Sequence, residues 1–173
     1  MAGDVAHGPA CEIDGSCCGP DKPCCPQYEG PIDIRRARDS DIDAISLLLS
    51  SSNLPLDGVR DSIADFFVAE AMTTIVGSVG VEVHGDYGLL RSAAVSDALR
   101  GRGVGKRLVN QAIEYAKERG MQALFLLTTT AEGYFPSFGF EKVERSDVPD
   151  ELKESAEFKD ACPASATVMR KEL

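Results

Sequence analysis

The feature that most constrains the fold is a glycine-rich turn that opens a long amphipathic helix. Residues 100–107 read RGRGVGKR, and apolar residues then recur at helical spacing from Val104 to Arg119, before Gly120. Alternating glycines let backbone amides approach a ligand and point at one centre. The N-terminus of the helix adds partial positive charge at the same place. The sequence therefore predicts that a polyanionic ligand binds at the start of this helix.

The charge distribution supports this prediction. The chain of 173 residues has a net charge of -10, yet four of the eight residues in this turn are basic. An acidic surface repels phosphate backbones, so we expect no nucleic-acid partner. No apolar run approaches the roughly 20 residues that span a bilayer, and no signal peptide is visible, so we expect no membrane association and a cytoplasmic location.

Two nucleotide-binding motifs have similar glycines but do not fit. The phosphate loop of nucleotide hydrolases needs a glycine five residues before its Gly-Lys pair and a hydroxyl residue after it, where this chain has Arg100 and Arg107. A dinucleotide-binding fold needs Gly-x-Gly-x-x-Gly close after the first strand. Here the spacing is Gly-x-Gly-x-Gly, and about three strands precede it.

The remaining hydrophobic pattern predicts one domain with a mixed α/β sheet of about six to seven strands flanked by helices. Residues 1–30 form a cysteine-rich extension without aliphatic periodicity, and the folded domain spans residues 32–173. Strands are predicted at Ile32–Arg35, Phe66–Ala69, Thr74–Val83, Tyr87–Val95, Ala123–Leu127, Phe140–Val143 and Ala166–Met169. Helices are predicted after the cap at Asp39 or Ser40, at Val59–Phe66, Val104–Arg119, Ala131–Phe138 and Pro149–Phe158.

The pattern Arg-x-x-Gly-x-Gly between a strand and an amphipathic helix resembles the coenzyme A signature of the GNAT superfamily of N-acetyltransferases. The later segment Tyr134–Phe140 looks like the aromatic–Gly–Phe ending of that superfamily, and the resemblance covers about residues 32–173. It implies an acyltransferase that uses acetyl-CoA as co-substrate and requires no metal for catalysis. The residues that the resemblance assigns to acetyl-CoA are Ala93, Ala94, Val95, Arg100, Gly101, Arg102, Gly103, Val104, Gly105 and Lys106.

Acetyl transfer to an amine needs a base for the amine proton and an acid for the leaving thiolate. Glu82, on the strand next to the one that lines the cofactor, is the preferred base, with Glu70 as the alternative. In many members of the superfamily a tyrosine four residues before the glycine of the Gly-Phe ending protonates the thiolate. That position here holds Phe135, and Tyr134 precedes it. Either Tyr134 reaches the sulfur or water supplies the proton.

Arg91 is a charged residue in an otherwise apolar strand. It needs a partner, either a buried acid or the carboxylate of a ligand. The second alternative suits an amino-acid-like substrate, with Arg91, Ser92 and Thr129 as substrate-binding residues.

Two further stretches, Gly88–Ser92 and the segment from Val148 to Met169, resemble the arsenic-resistance N-acetyltransferase branch (ArsN type). That resemblance implies acetylation of a small amine, an amino-acid-like compound such as an arsenical or phosphinic amino acid. Since no histidine is placed to activate Cys162 as a nucleophile, we expect direct transfer without a covalent acetyl-enzyme. The extension contains paired thiols at Cys17, Cys18, Cys24 and Cys25. Clustered thiolates suit arsenite or another soft ion, and an extension without any ligand is the alternative. Rival functions are an arsenite- or soft-metal-binding protein and a protein lysine acetyltransferase. Relatives of this kind often pair, so a homodimer is a further expectation.

Overall fold

The computed structural model describes residues 30–161 and 165–173, and its centre is a mixed seven-stranded sheet. The strands are β1 (Ile32–Arg36), β2 (Phe66–Ala71), β3 (Thr74–His84), β4 (Tyr87–Val95), β5 (Ala123–Thr128), β6 (Glu141–Val143) and β7 (Thr167–Glu172). Their order across the sheet is β1-β2-β3-β4-β5-β7-β6. All neighbouring pairs are antiparallel except β4 and β5, which run parallel. The mixed α/β fold expected from the sequence is confirmed.

The helices are α1 (Ile42–Ser51), α2 (Val104–Glu118) and the short α3 (Asp150–Lys153). The apolar stripe of α2 covers one face of the sheet, where Leu108 and Ala112 belong to the same core as Val79, Val81 and Leu90. On the other face, α1 packs against Phe66, Val68 and Ala94. In the described part of the chain, no helix is long and apolar enough to cross a membrane.

Three predicted helices are wrong in type or length. The segment Ala131–Phe138 contains only a 3-10 turn, Phe135–Phe138, because Pro136 lacks an amide donor and Gly139 then takes a left-handed φ of 85°. Val59–Phe66 contains a 3-10 turn at Ile63–Asp65, and Phe66 opens β2. The segment predicted at Pro149–Phe158 splits into α3 and a π-helical turn, Glu157–Ala161.

The parallel strands β4 and β5 stay paired over only three positions. Tyr87, Gly88 and Leu89 face Ala123, Leu124 and Phe125, and beyond this point the register between the two strands ends. The last six residues of β4 therefore have no strand partner on their β5 side. A gap opens there at the centre of the sheet.

A bulge in β4 lies beside this gap. Val79 on β3 faces both Ser92 and Ala93, because the register shifts by one residue between Ser78 and Gly80. Ser92 takes a left-handed φ of 54°, which is rare for a residue other than glycine. The buried Ser78 hydroxyl donates to the Ser92 carbonyl at 3.0 Å and so holds the bulge in place.

Candidate active site

A cavity of about 430 Å³ lies between the opened end of β4 and the N-terminus of α2. It brings together most of the residues that the sequence assigned to acetyl-CoA: Ala93, Ala94, Val95, Arg100, Gly101, Gly103, Gly105 and Lys106 line it. Val104 is the first residue of α2, and its side chain is buried in the core and does not line the cavity. Its predicted role involves only its main chain. Arg102 also lies outside the lining.

The turn before α2 depends on glycine at two positions. Gly101 and Gly103 have left-handed φ values of 76° and 78°, and Gly103 directly precedes the helix. An ordinary L-residue in this conformation costs about 1–2 kcal/mol, so glycine is the residue that the turn requires. The turn leaves the first amides of α2 at the cavity, where they form a site for an anion.

The basic residues of the turn divide between two tasks. Arg100 donates through Nε to the Val95 carbonyl at 3.1 Å and pairs with Asp97 at 2.8 Å, so it ties the turn to the end of β4. Arg107 donates to the carbonyl of Ile32 at 2.9 Å and anchors the edge strand β1. Lys106 lines the cavity, as Arg100 does.

The main chain of Val95 is directed away from β3. The Ser96 amide donates to the Val76 carbonyl at 2.8 Å, which makes the adjacent pair Gly77 and Val95 one that exchanges no main-chain hydrogen bonds. The Val95 amide therefore points into the gap beside β4. It is available to a carbonyl group of a ligand in the cavity.

Tyr134 and Phe135 both line the cavity but present different groups to it. Phe135 is buried against Phe138 and Phe140, whereas Tyr134 is 43% exposed. The Tyr134 hydroxyl lies 3.0 Å from the position that a Cβ on Gly105 would take, directly above the start of α2. Partial burial raises the pKa of Tyr134, so this hydroxyl carries its proton at neutral pH.

Arg91 has acidic partners inside the protein. Its guanidinium is fully buried and donates through Nη1 to Glu82 Oε2 at 3.3 Å. Nη2 donates to the main-chain carbonyl of Asp57, and Nε donates to Ser92 Oγ at 3.3 Å. Glu157 Oε1 also lies 3.3 Å from Nε. These residues form one cluster on the far side of the bulge, and Ser92 joins this cluster to Ser78 in the cavity wall.

Glu157 is the member of this cluster that the sequence analysis missed. It is 4% exposed and lies on the π-helical turn after α3. Burial raises its pKa from 4.5 to about 7, and nearby Glu82 adds to the rise, while Arg91 opposes it. In the sequence Glu157 stood in the stretch that resembles the arsenic-resistance branch, but as an acidic residue inside a predicted charged helix, a pattern that normally indicates a solvated face.

Other sequence-predicted residues have different surroundings. Glu70 is ion-paired with Arg35 at 2.7 Å, near the edge of the sheet. Thr129 is exposed and does not line the cavity, whereas the neighbouring Thr130 does. The cysteines Cys17, Cys18, Cys24 and Cys25 lie outside the described residues, so their predicted ion site stays a prediction. Among the residues that are described, no cluster of three His, Cys, Asp or Glu side chains is arranged to hold a metal.

Comparison with known proteins identifies the family. The Acetyltransferase (GNAT) family model matches residues 34–140. The chain belongs to this family. As a GNAT acetyltransferase it is an acyltransferase with acetyl-CoA as co-substrate, which confirms both expectations from the sequence.

Relatives include an amino-acid acetyltransferase of Mycobacterium tuberculosis, 30% identical over 129 residues that cover 69% of this chain and 74% of the relative. The crystal structure of Rv2747 from Mycobacterium tuberculosis in complex with CoA and NLQ is similar, with a TM-score of 0.71, 28% identity, and coverage of 82% of this chain and 99% of that one. An N-acetylglutamate synthase of Neisseria gonorrhoeae shares the fold at a TM-score of 0.72 and 23% identity, over 84% of this chain and 36% of that one.

The raised pKa of Glu157 predicts a pH dependence of stability. The folded protein binds this proton more tightly than the unfolded chain, since the pKa is about 7 in the fold against 4.5 outside it. The free energy of unfolding therefore falls by about 3 kcal/mol as pH rises from below 4.5 to above about 7. Urea unfolding at pH 5 and pH 8 measures it, and E157Q is expected to lose this component of the pH dependence. The surface variant E154Q is the matched control; equal pH dependence in E157Q and wild type contradicts the assignment.

Proposed function

We propose that this GNAT enzyme transfers the acetyl group of acetyl-CoA directly to the amino group of a small amino-acid-like substrate. The observation that carries the proposal is the buried guanidinium of Arg91. Arg91 lies on β4, where the bulge at Ser92 separates it from Ala93 and Ala94, which line the cavity. A guanidinium binds a carboxylate with two parallel hydrogen bonds, which fits the carboxylate of an amino acid. The similarity to an amino-acid acetyltransferase supports the same substrate class.

The main chain of β4 holds the donor in this proposal. Ala93, Ala94 and Val95 pair with the pantetheine arm in place of the missing strand, while the amides from Gly101 to Lys106 bind the pyrophosphate. The Val95 amide, directed into the gap, donates to the acetyl carbonyl and stabilises the negative charge that develops on its oxygen. The side chains of Arg102 and Lys106 add positive charge around the phosphates.

Two side chains move protons. Glu82 is 18% exposed at its side chain and accepts a proton from the substrate ammonium, directly or through one water. The neutral amine then attacks the thioester carbonyl, the carbon–sulfur bond breaks, and the acetylated nitrogen releases its remaining extra proton to water. Tyr134 donates its hydroxyl proton to the leaving thiolate and recovers a proton from solvent. Ser92 and Thr129 are proposed to contact the substrate beside Arg91.

The finer identity of the acceptor is also part of the proposal. The resemblance to the arsenic-resistance branch favours an arsenical or phosphinic amino acid, since both pair a carboxylate with a free amine. A protein lysine acetyltransferase is the rival, and it gives the buried Arg91 no carboxylate to bind. The cytoplasmic location, the homodimer and the thiophilic extension stay predictions from the sequence.

A substrate panel tests the proposal. Thiol release from acetyl-CoA is followed with L-amino acids, their amides, phosphinic and arsenical analogues, and a lysine peptide. We expect turnover with at least one free amino acid or analogue, and higher kcat/KM than for its amide. Turnover of the peptide alone, or of no amine in the panel, contradicts the proposal.

The role of Tyr134 predicts the effect of removing one hydroxyl. Tyr134→Phe is expected to lower kcat about 100-fold, because proton transfer by a positioned side chain contributes about 10²–10⁴-fold to a rate. The KM for acetyl-CoA is expected to change little. Tyr87→Phe is the matched control, since Tyr87 packs on Phe125 away from the cavity. A Tyr134→Phe variant with the kcat of wild type assigns thiolate protonation to water.

A further inference from the structure

Arg91 is fully enclosed by the protein. Its side chain is 0% exposed, and its nitrogens contact Glu82, Glu157, Ser92 and the carbonyl of Asp57. A substrate carboxylate can therefore reach this guanidinium only if one of the present partners leaves. Which partner leaves determines how the substrate is admitted.

We propose that Glu157 occupies the place of the substrate carboxylate on Arg91, and that an amino-acid substrate binds by exchanging its own carboxylate for that of Glu157. The inference rests on the proposed function, since it requires a substrate with a carboxylate. Glu157 is then a competing internal carboxylate, and its side chain sets the apparent affinity for the acceptor.

Contacts distinguish Glu157 from the other partners. Glu82 accepts a hydrogen bond from Arg91 Nη1 and lies in β3, which is paired on both sides. Glu157 approaches Nε, a nitrogen that donates to the Ser92 hydroxyl. It lies on a short π-helical turn outside the sheet. This turn can shift without breaking a strand pair, so the exchange leaves the sheet intact.

The charges of the cluster favour departure of Glu157 as the neutral acid. Arg91 with ionised Glu82 and Glu157 has a net charge of about -1, and a third carboxylate would bring a buried charge of about -2. If Glu157 takes up one proton from solvent as the substrate carboxylate binds, the net charge does not change. Burial raises the pKa of Glu157 to about 7, so the free-energy cost of this proton uptake is small near neutral pH.

Other charged groups near Glu157 are paired on the surface. Lys159, on the same turn, pairs with Glu154, and Lys153 of α3 pairs with Asp150. From the loop before β2, Asp57 contributes its carbonyl to Arg91. Among the described residues, Arg91 from β4 and Glu82 from β3 are thus the charged groups that act on the Glu157 proton.

The exchange predicts a pH-dependent difference between an amino acid and its amide. The experiment uses the full chain and the best free amino acid found in the panel, and measures its KM and that of its amide at pH 6 and pH 8. At pH 8 the wild type must protonate Glu157 before the carboxylate binds, a cost of about tenfold for a pKa of about 7. E157Q has no such cost. Its ratio of KM for the acid to KM for the amide is therefore expected to be about tenfold lower than the wild-type ratio at pH 8 and equal to the wild-type ratio at pH 6.

Controls separate the exchange from a structural role of Glu157. E154Q, on the same segment, is expected to behave as wild type at both pH values. If E157Q does not fold, E157A takes its place, and its KM ratio is likewise expected to be about tenfold lower than that of wild type at pH 8. A ratio independent of pH, or equal in wild type and E157Q at pH 8, overturns the exchange and leaves the proposed function standing. Failure of every amino acid in the panel removes the proposed function itself.

Discussion

The rest of the structure depends on the parting of two parallel strands. β4 and β5 share three paired positions, and beyond Leu89 the β5 side of β4 has no strand partner. An unpaired main chain inside a sheet is costly unless another group pairs with it, and in our proposal acetyl-CoA is that group. The cavity lies in the gap left by that parting, the N-terminus of α2 borders it, and the β3–β4 register directs the Val95 amide into it. The Ser92 bulge, held by Ser78, adjusts β4 at the edge of the same gap.

Electrostatics divides the site into two halves with different means of binding. In the proposed donor half, main-chain amides and a few local cations bind the polyanionic donor, so the overall net charge of -10 matters little there. Beyond the bulge, one buried arginine is shared by two carboxylates. Burial, with a smaller contribution from Glu82, raises the pKa of Glu157 to about 7, so this carboxyl exchanges its proton near neutral pH. In our proposal the first half binds the donor and the second half selects the acceptor.

The sequence predicted the parts of the structure that depend on local pattern. The glycine turn and the helix after it were visible because glycine conformation and apolar spacing are local properties. The strands were visible for the same reason. The Arg91 cluster was predicted only in part. An arginine in an apolar strand indicated that a buried partner exists. The sequence did not identify Glu157 as that partner, because Glu157 lies 66 positions away in a segment with a charged, surface-like pattern. The short helices near Pro136 and Pro149 were overestimated: Pro136 and Gly139 limit the first to one 3-10 turn, and the second splits into α3 and a π-helical turn. The direction of the Val95 amide depends on register, which one sequence does not specify.

Hydrogen–deuterium exchange with and without saturating acetyl-CoA reports on the main chain that the parted strands leave open, and so tests whether acetyl-CoA binds there. We expect slower exchange at the amides of residues 93–95 and 101–106 when acetyl-CoA binds, with little change in the distant strand Glu141–Val143. Protection absent from both segments while acetyl-CoA is bound would contradict the placement of the donor between β4 and α2.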